Sequence, residues 1–344
     1  MPAITKPNLH FDATTYTGTG SALSVTNGGF QPDFVWIKSR AIVAGHGLVD
    51  SVRGRASVLY SNDTATQGTS GSTQDVTAFN SNGFALGTNS QIESNTNAST
   101  YVAWQWKAGG AAVTNTSGTL TSQVSVNATA GFSVVTYTGS VSYPQTIGHG
   151  LGAVPQFIIV KNRQRATNWA VYHASVGNTK ALYLNGTDAA YADEGFWDNT
   201  SPTSTVFTGD NGVGYTTNGA AENYVAYCWI PIAGYSAFGS YTGNASTDGP
   251  FVYTGFKPKF LMIKRTDTTN SWVIQDTTRS TYNVSQNNIY ANSTGAEASY
   301  GAELTDILSN GFKQRGTGTS MNASGGTYVY AAFAEAPLKY ANAR

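Results

Sequence analysis

Apolar residues along this chain come in short runs separated by Gly, Asn, Ser and Thr, and the sharpest run is written three times. Residues 34–38 read Phe-Val-Trp-Ile-Lys, residues 157–161 Phe-Ile-Ile-Val-Lys and residues 260–264 Phe-Leu-Met-Ile-Lys, each two positions after a proline, Pro32, Pro155 or Pro258. Proline holds the residue before it extended, and the run is too short for a helix, so each copy predicts a strand buried on both faces. A second run, Tyr101-Val102-Ala103-Trp104-Gln105-Trp106, puts Val102, Trp104 and Trp106 on one face of a strand. It returns as Tyr224-Val225-Ala226-Tyr227-Cys228-Trp229 and Tyr328-Val329-Tyr330-Ala331-Ala332-Phe333.

The elements between these runs recur in the same order. Tyr16-Thr17-Gly18, Tyr137-Thr138-Gly139 and Tyr241-Thr242-Gly243 open each copy, and Asn62-Asp63-Thr64, Asn185-Gly186-Thr187 and Asn292-Ser293-Thr294 follow the middle of each. The chain is therefore a threefold internal repeat. Many short strands with frequent turn signals predict an all-β fold of three tandem β-sandwich repeats, with a jelly roll as one option for strand order. The expected division is repeat 1 at 1–107, a linker or extended arm at 108–130, repeat 2 at 131–233 and repeat 3 at 234–344. Residues 302–309 are a candidate short helix and residues 51–57 a weaker one.

Composition narrows the function classes. Charged residues make up 11% of the chain, against about 25% in an average globular protein, and 19 basic residues balance 19 acidic ones. No global field draws the chain to nucleic acid or to an anionic membrane. A single cysteine, Cys228, excludes internal disulfides and cysteine-built zinc clusters. The first residues carry no apolar signal core and no run is long enough to span a bilayer, so synthesis in the cytoplasm without membrane insertion is expected.

Candidate chemistry is sparse. His10, His46, His149 and His173 show no metal-ligand spacing and read as surface or turn residues; no cofactor motif occurs, and no metal or cofactor is expected. Asp50 with Arg53 recurs as Asp276 with Arg279, which suits a structural pair tying a turn, while repeat 2 has His173 and Val176 there. A catalytic acid needs a partner carboxylate that one Asp per repeat does not supply. The Asn-x-Thr triplets read as turns in which Asn tolerates positive φ. Lys38, Lys161 and Lys264 read as solvated strand ends. Six of the seven tryptophans have hydrophobic counterparts in other repeats and so read as core; Trp197 alone lies in an unmatched loop. Trp197 with Asp198 and Asn199 is therefore the candidate contact for a receptor or partner.

Taken together, Gly29-Phe30-Gln31-Pro32-Asp33-Phe34-Val35-Trp36-Ile37-Lys38-Ser39-Arg40, Asp50-Ser51-Val52-Arg53-Gly54, residues 101–110, Gly239-Ser240-Tyr241-Thr242-Gly243-Asn244 and the C-terminal Lys339-Tyr340-Ala341-Asn342-Ala343-Arg344 resemble a family of tandem β-rich domains in virion-associated proteins of tailed bacteriophages, many from marine bacteria and cyanobacteria. The resemblance implies a non-enzymatic virion protein of the tail-fibre or host-adhesion kind. It also implies assembly as a homotrimer, with other virion proteins and a host surface glycan or envelope protein as partners. Only a short stretch precedes the first repeat, which keeps a capsid-decorating protein as the alternative; a glycan-degrading tailspike-type enzyme is the third option.

Overall fold

The structure, a computed structural model, describes residues 4–193, 195–210 and 214–335; the C-terminal motif at 339–344 lies outside them. The chain is built from antiparallel sheets. The same four-stranded arrangement occurs three times. An opening strand (Phe11–Thr17, Phe132–Thr138 or Ser236–Thr242) pairs with a closing strand (Thr100–Trp106, Asn223–Trp229 or Thr327–Ala334). The closing strand pairs in turn with a central strand (Phe34–Ser39, Phe157–Asn162 or Pro258–Arg265). The fourth strand is Gly47–Asp50, Ala170–His173 or Trp272–Asp276. Opening, closing, central and fourth is the order in all three sheets, so each repeated pentapeptide is an interior strand.

Each central strand is buried on both faces; in repeats 1 and 2 the two faces look into different cores, and in repeat 3 the core under the small sheet is continuous with the shared one. Val35 and Ile37, with Tyr101 and Ala103, face a small sheet of Leu23–Thr26, Gly83–Leu86 and Val76–Asn80. Ile158 and Val160 face the two-stranded sheet of Gln145–Gly148 and Val206–Gly209 in the same way. The third small sheet is Phe251–Tyr253, Gly311–Gln314 and Thr305–Leu308. These second sheets have two or three strands, short of the four in each sheet of a jelly roll.

The opposite face of all three central strands enters one common core. Phe34 and Trp36, Phe157 and Ile159, and Phe260 and Met262 meet there, with Trp106, Trp229 and Phe333 from the closing strands. Phe11 stacks on Phe333 at 5.2 Å, Phe34 on Tyr227 at 4.2 Å and Phe157 on Phe238 at 5.7 Å, each contact crossing between repeats. Large rings buried this way contribute roughly 2–3 kcal/mol each, and here much of that is available only when all three repeats are present.

The backbone closes the ring. The Gln67 amide donates to Arg163 O at 2.9 Å, the Ala190 amide to Thr266 O at 2.9 Å and the Glu297 amide to Arg40 O at 3.0 Å. Repeat 1 thus holds repeat 2, repeat 2 holds repeat 3 and repeat 3 returns to repeat 1.

Two local expectations change. Residues 305–308 form a strand where a helix was expected, because Thr305 and Ile307 point inward while Asp306 and Leu308 point outward, and this two-residue period pairs with Gly311–Gln314. Residues 51–56 are turn, Ser57 begins a two-residue strand, and the short helix lies at Thr319–Asn322. The 108–130 stretch carries strands Val113–Asn115 and Ser122–Asn127, which extend the sheet of repeat 2 beyond its opening strand.

Candidate functional site

Three seams join the repeats, and four kinds of contact recur at them, three crossing the seam and one, the second, within a repeat. The first is the lysine that ends the central strand. Lys38 Nζ donates to Ser39 O at 2.9 Å and to Thr294 O of repeat 3 at 3.3 Å. Lys161 Nζ donates to Thr167 O at 2.8 Å and to Thr64 O of repeat 1 at 2.9 Å. Lys264 Nζ donates to Asn270 O at 2.8 Å and to Thr187 O of repeat 2 at 3.0 Å. All three residues are 0% exposed, so the expected solvated strand end is incorrect: the neighbouring repeat covers each lysine. Burial lowers each ammonium pKa to about 8.

The accepting threonines are the third residues of the Asn-x-Thr triplets, and the asparagines have their own task. Asn62 Oδ1 accepts the amide of His46 at 2.7 Å, Asn185 Oδ1 that of Trp169 at 2.8 Å and Asn292 Oδ1 that of Trp272 at 2.8 Å. None of the three has positive φ, so the side-chain hydrogen bond and not backbone tolerance is what the position uses. The third seam contact follows from the same place. Trp169 Nε1 donates to Tyr60 O and Trp272 Nε1 to Tyr183 O, both at 2.8 Å, and His46 Nε2 reaches Tyr290 O at 3.1 Å in the equivalent position.

The fourth contact involves the repeated aspartate. Asp50 pairs with Arg53 and Asp276 with Arg279, all four side chains fully buried. Across the seam, Tyr227 Oη donates to Asp50 Oδ2 at 2.8 Å and Trp104 Nε1 to Asp276 Oδ2 at 3.0 Å. In repeat 2, His173 Nε2 reaches Tyr330 O at 3.1 Å instead.

Three of the four histidines are interior, which corrects the surface reading. His46, His149 and His173 each accept a hydrogen bond at Nδ1, from Trp36 Nε1, the Leu151 amide and the Ser175 amide, so each carries its proton on Nε2 and donates to a carbonyl. Burial lowers all three pKa values, that of His173 to about 4. His10 is half-buried against Asn127.

The loop singled out for contact divides in two. The Trp197 ring is buried edge-on to Tyr172 at 5.7 Å, so it anchors the loop from inside. Asp198 is half-buried and Asn199 exposed, and they form the outward part. A groove of about 550 Å³ lies where repeat 1 passes into the 108–130 stretch, lined by Gln31, Asp33, Lys107, Gly109, Gly110 and Asn127. The Asp33 carboxylate there is already occupied by Ser51 Oγ and by the Ala108 and Gly110 amides. Among the described residues no group of three His, Cys, Asp or Glu side chains is placed to hold a metal ion, and no helix is long and apolar enough to cross a membrane.

The buried lysines and the Asn-x-Thr side-chain contacts were not separable from turns in the sequence. Their joint recurrence in all three repeats was the available signal, since residues that bind each other across a cyclic seam must recur together.

Residues 6–337 match a family described as "Domain of unknown function (DUF7483)", and the chain belongs to that family. No curated protein and no solved structure matches it.

Proposed function

We propose that this chain is a non-enzymatic structural or adhesive component of a bacteriophage virion, of the tail-fibre or host-adhesion kind, made of three β-sandwich repeats. The observation that carries the reading is the commitment of ionisable side chains to the seams: Asp50, Arg53, Asp276, Arg279, the three strand-end lysines and two of the histidines all hold repeats in register. A general acid or base needs a group free to exchange protons with a substrate, and these are spent on architecture. A rigid ring with a low-charge, hydroxyl-rich exterior suits display on a particle, and the sequence resemblance supplies the virion setting.

The closed ring also bears on assembly. The inner sheet faces are occupied by the chain's own three repeats, so the homotrimer implied by the resemblance would form through outer surfaces. A host glycan or envelope protein would meet loops such as that of Asp198 and Asn199. Gold-labelled antibodies on purified particles test the location: label at the tail is expected, and label confined to the capsid overturns the tail assignment in favour of decoration. Release of reducing ends from host polysaccharide by the purified chain would overturn the non-enzymatic assignment.

A further inference from the structure

The small sheet of each repeat begins with an edge strand, and the three edges are treated differently. In repeat 2 the strand Gln145–Gly148 is covered by the chain itself. Leu120 forms a parallel bridge with Ile147, its amide donating to Thr146 O at 3.0 Å; Thr119 Oγ1 accepts the Thr146 amide at 2.8 Å, and Ser122 Oγ donates to Gly148 O at 2.8 Å. An uncharged segment of Ser, Gly, Thr and Leu, residues 117–122, thus lies along this edge, bent at 117–119 and joined to it by a single backbone bridge at Leu120.

In repeat 3 the equivalent strand is Phe251–Tyr253. The equivalence is fixed by the inward pair, Val252 opposite Phe312 in repeat 3 and Ile147 opposite Phe207 in repeat 2. Hydrogen bonds at Pro250–Gln314 and Thr254–Asn310 flank Val252, so by the alternation of antiparallel pairs Phe251 and Tyr253 turn their amides and carbonyls away from the sheet. No described residue pairs with them on that side. Their side chains, 45% and 67% exposed, stand beside this open edge, whereas the corresponding residues of repeat 1 are Ser24 and Thr26. Natural proteins blunt free edges with short strands, charge, proline or a covering segment; this strand is short and follows Pro250, but residues 251–253 themselves carry no charge or proline and no described segment covers them.

We propose that Phe251–Tyr253 is a docking edge for an uncharged, extended peptide segment of a partner protein, which adds to it as a parallel strand and so lengthens the kind of contact that the single Leu120 bridge makes on the equivalent edge of repeat 2. Backbone pairing supplies the attachment, and Phe251 and Tyr253 supply contact area for alternate side chains of the incoming strand. The nearby charges are already paired, Lys313 with Asp248 at 2.8 Å and Arg315 with Asp306 at 3.3 Å, so the edge offers no field to a charged segment. The docking edge is the same whether the chain sits on a tail or a capsid.

The test uses the full chain and a synthetic peptide of residues 115–122, followed by residue-resolved amide hydrogen exchange. With peptide at ten times its dissociation constant, exchange at Phe251 and Tyr253 is expected to slow about tenfold. Tyr253→Pro removes the outward N–H without touching the ladder, and Phe251→Lys adds an edge charge; each is expected to abolish the protection while leaving the thermal midpoint unchanged. Unchanged exchange up to millimolar peptide overturns the proposal, as does protection that persists in Tyr253→Pro. Protection by a soluble oligosaccharide and not by peptide also overturns it, and would make the two rings a sugar-stacking platform. Chain dimerisation through this edge would likewise overturn it.

Discussion

Tyr227 donates a hydrogen bond from Oη to Asp50 Oδ2 at 2.8 Å, across the boundary between the second repeat and the first. The carboxylate it reaches is fully buried and also neutralises Arg53, so one aspartate ties a turn within its own repeat and a closing strand in the next. Asp276 does the same with Arg279 and Trp104, which closes the third repeat onto the first.

Removing Asp50 strands a buried guanidinium, whereas Arg279 keeps a second partner, Glu297 at 2.9 Å, when Asp276 is removed. Asp50→Ala is expected to cost about 3–5 kcal/mol, the range for breaking a buried ion pair from one side, and Asp276→Ala less, because Glu297 still compensates Arg279. Tyr227→Phe removes two hydrogen bonds to charged groups, one donated to Asp50 and one accepted from Arg53 at 3.1 Å, and is expected to cost at least about 1.5 kcal/mol. Urea denaturation midpoints check all three, and a loss for Asp50→Ala no larger than that for Asp276→Ala would show that Arg53 is not held as described.

The strand-end lysines should resist amine modification despite pKa values lowered to about 8, because the neighbouring repeat covers them. Reductive methylation of the folded chain near pH 8, read by peptide mass spectrometry, is expected to modify the exposed Lys180 fully and to leave Lys38, Lys161 and Lys264 unmodified until the chain is denatured. Labelling of Lys38 at the rate of Lys180 would mean that the seam between repeats 3 and 1 is open.

Acid should loosen the ring through its histidines. His173 has a pKa near 4 in the folded chain against an ordinary 6.5, so the unfolded chain binds the extra proton between those values. Stability is therefore complete above pH 6.5 and falls as pH drops towards 4, by about 1.4 kcal/mol per unit and roughly 3 kcal/mol in all from this residue. His46 and His149 act in the same direction. Thermal midpoints between pH 7 and pH 4.5 check this, and His173→Gln should flatten the slope; a variant with the wild-type slope would remove His173 from the account.

Each Asn-x-Thr asparagine satisfies one amide at or just before the start of the fourth strand. Asn185→Ala and Asn292→Ala leave the Trp169 or Trp272 amide without its acceptor and are each expected to cost about 1–3 kcal/mol. Equal stability of Asn185→Ala and the parent chain, measured by chemical denaturation, would contradict the assignment.

Much of this fold was legible in the sequence, for a definite reason. The pentapeptides announce interior strands because burial on both faces demands an unbroken apolar run, and the Trp104 and Trp106 alternation announces a face. What stayed hidden was which core each face enters: Phe34 and Val35 are equally apolar, yet one looks towards the other repeats and the other towards its own small sheet. A lysine at a strand end is ordinarily solvated, and nothing local in Lys38 or Lys264 distinguishes one that another repeat will cover. Trp197 was singled out for having no counterpart, and that rarity reflects a loop anchor in repeat 2. The open edge at Phe251 and Tyr253 needed strand pairing to be visible at all.

The central claim is that three sequence repeats make one closed ring with a shared core. Differential scanning calorimetry of the full chain tests it most directly. The account predicts a single transition whose calorimetric and van't Hoff enthalpies agree, because no repeat can leave without exposing the core of the other two. Two or three separable transitions, or a calorimetric enthalpy two to three times the van't Hoff value, would contradict it and return the repeats to independent domains.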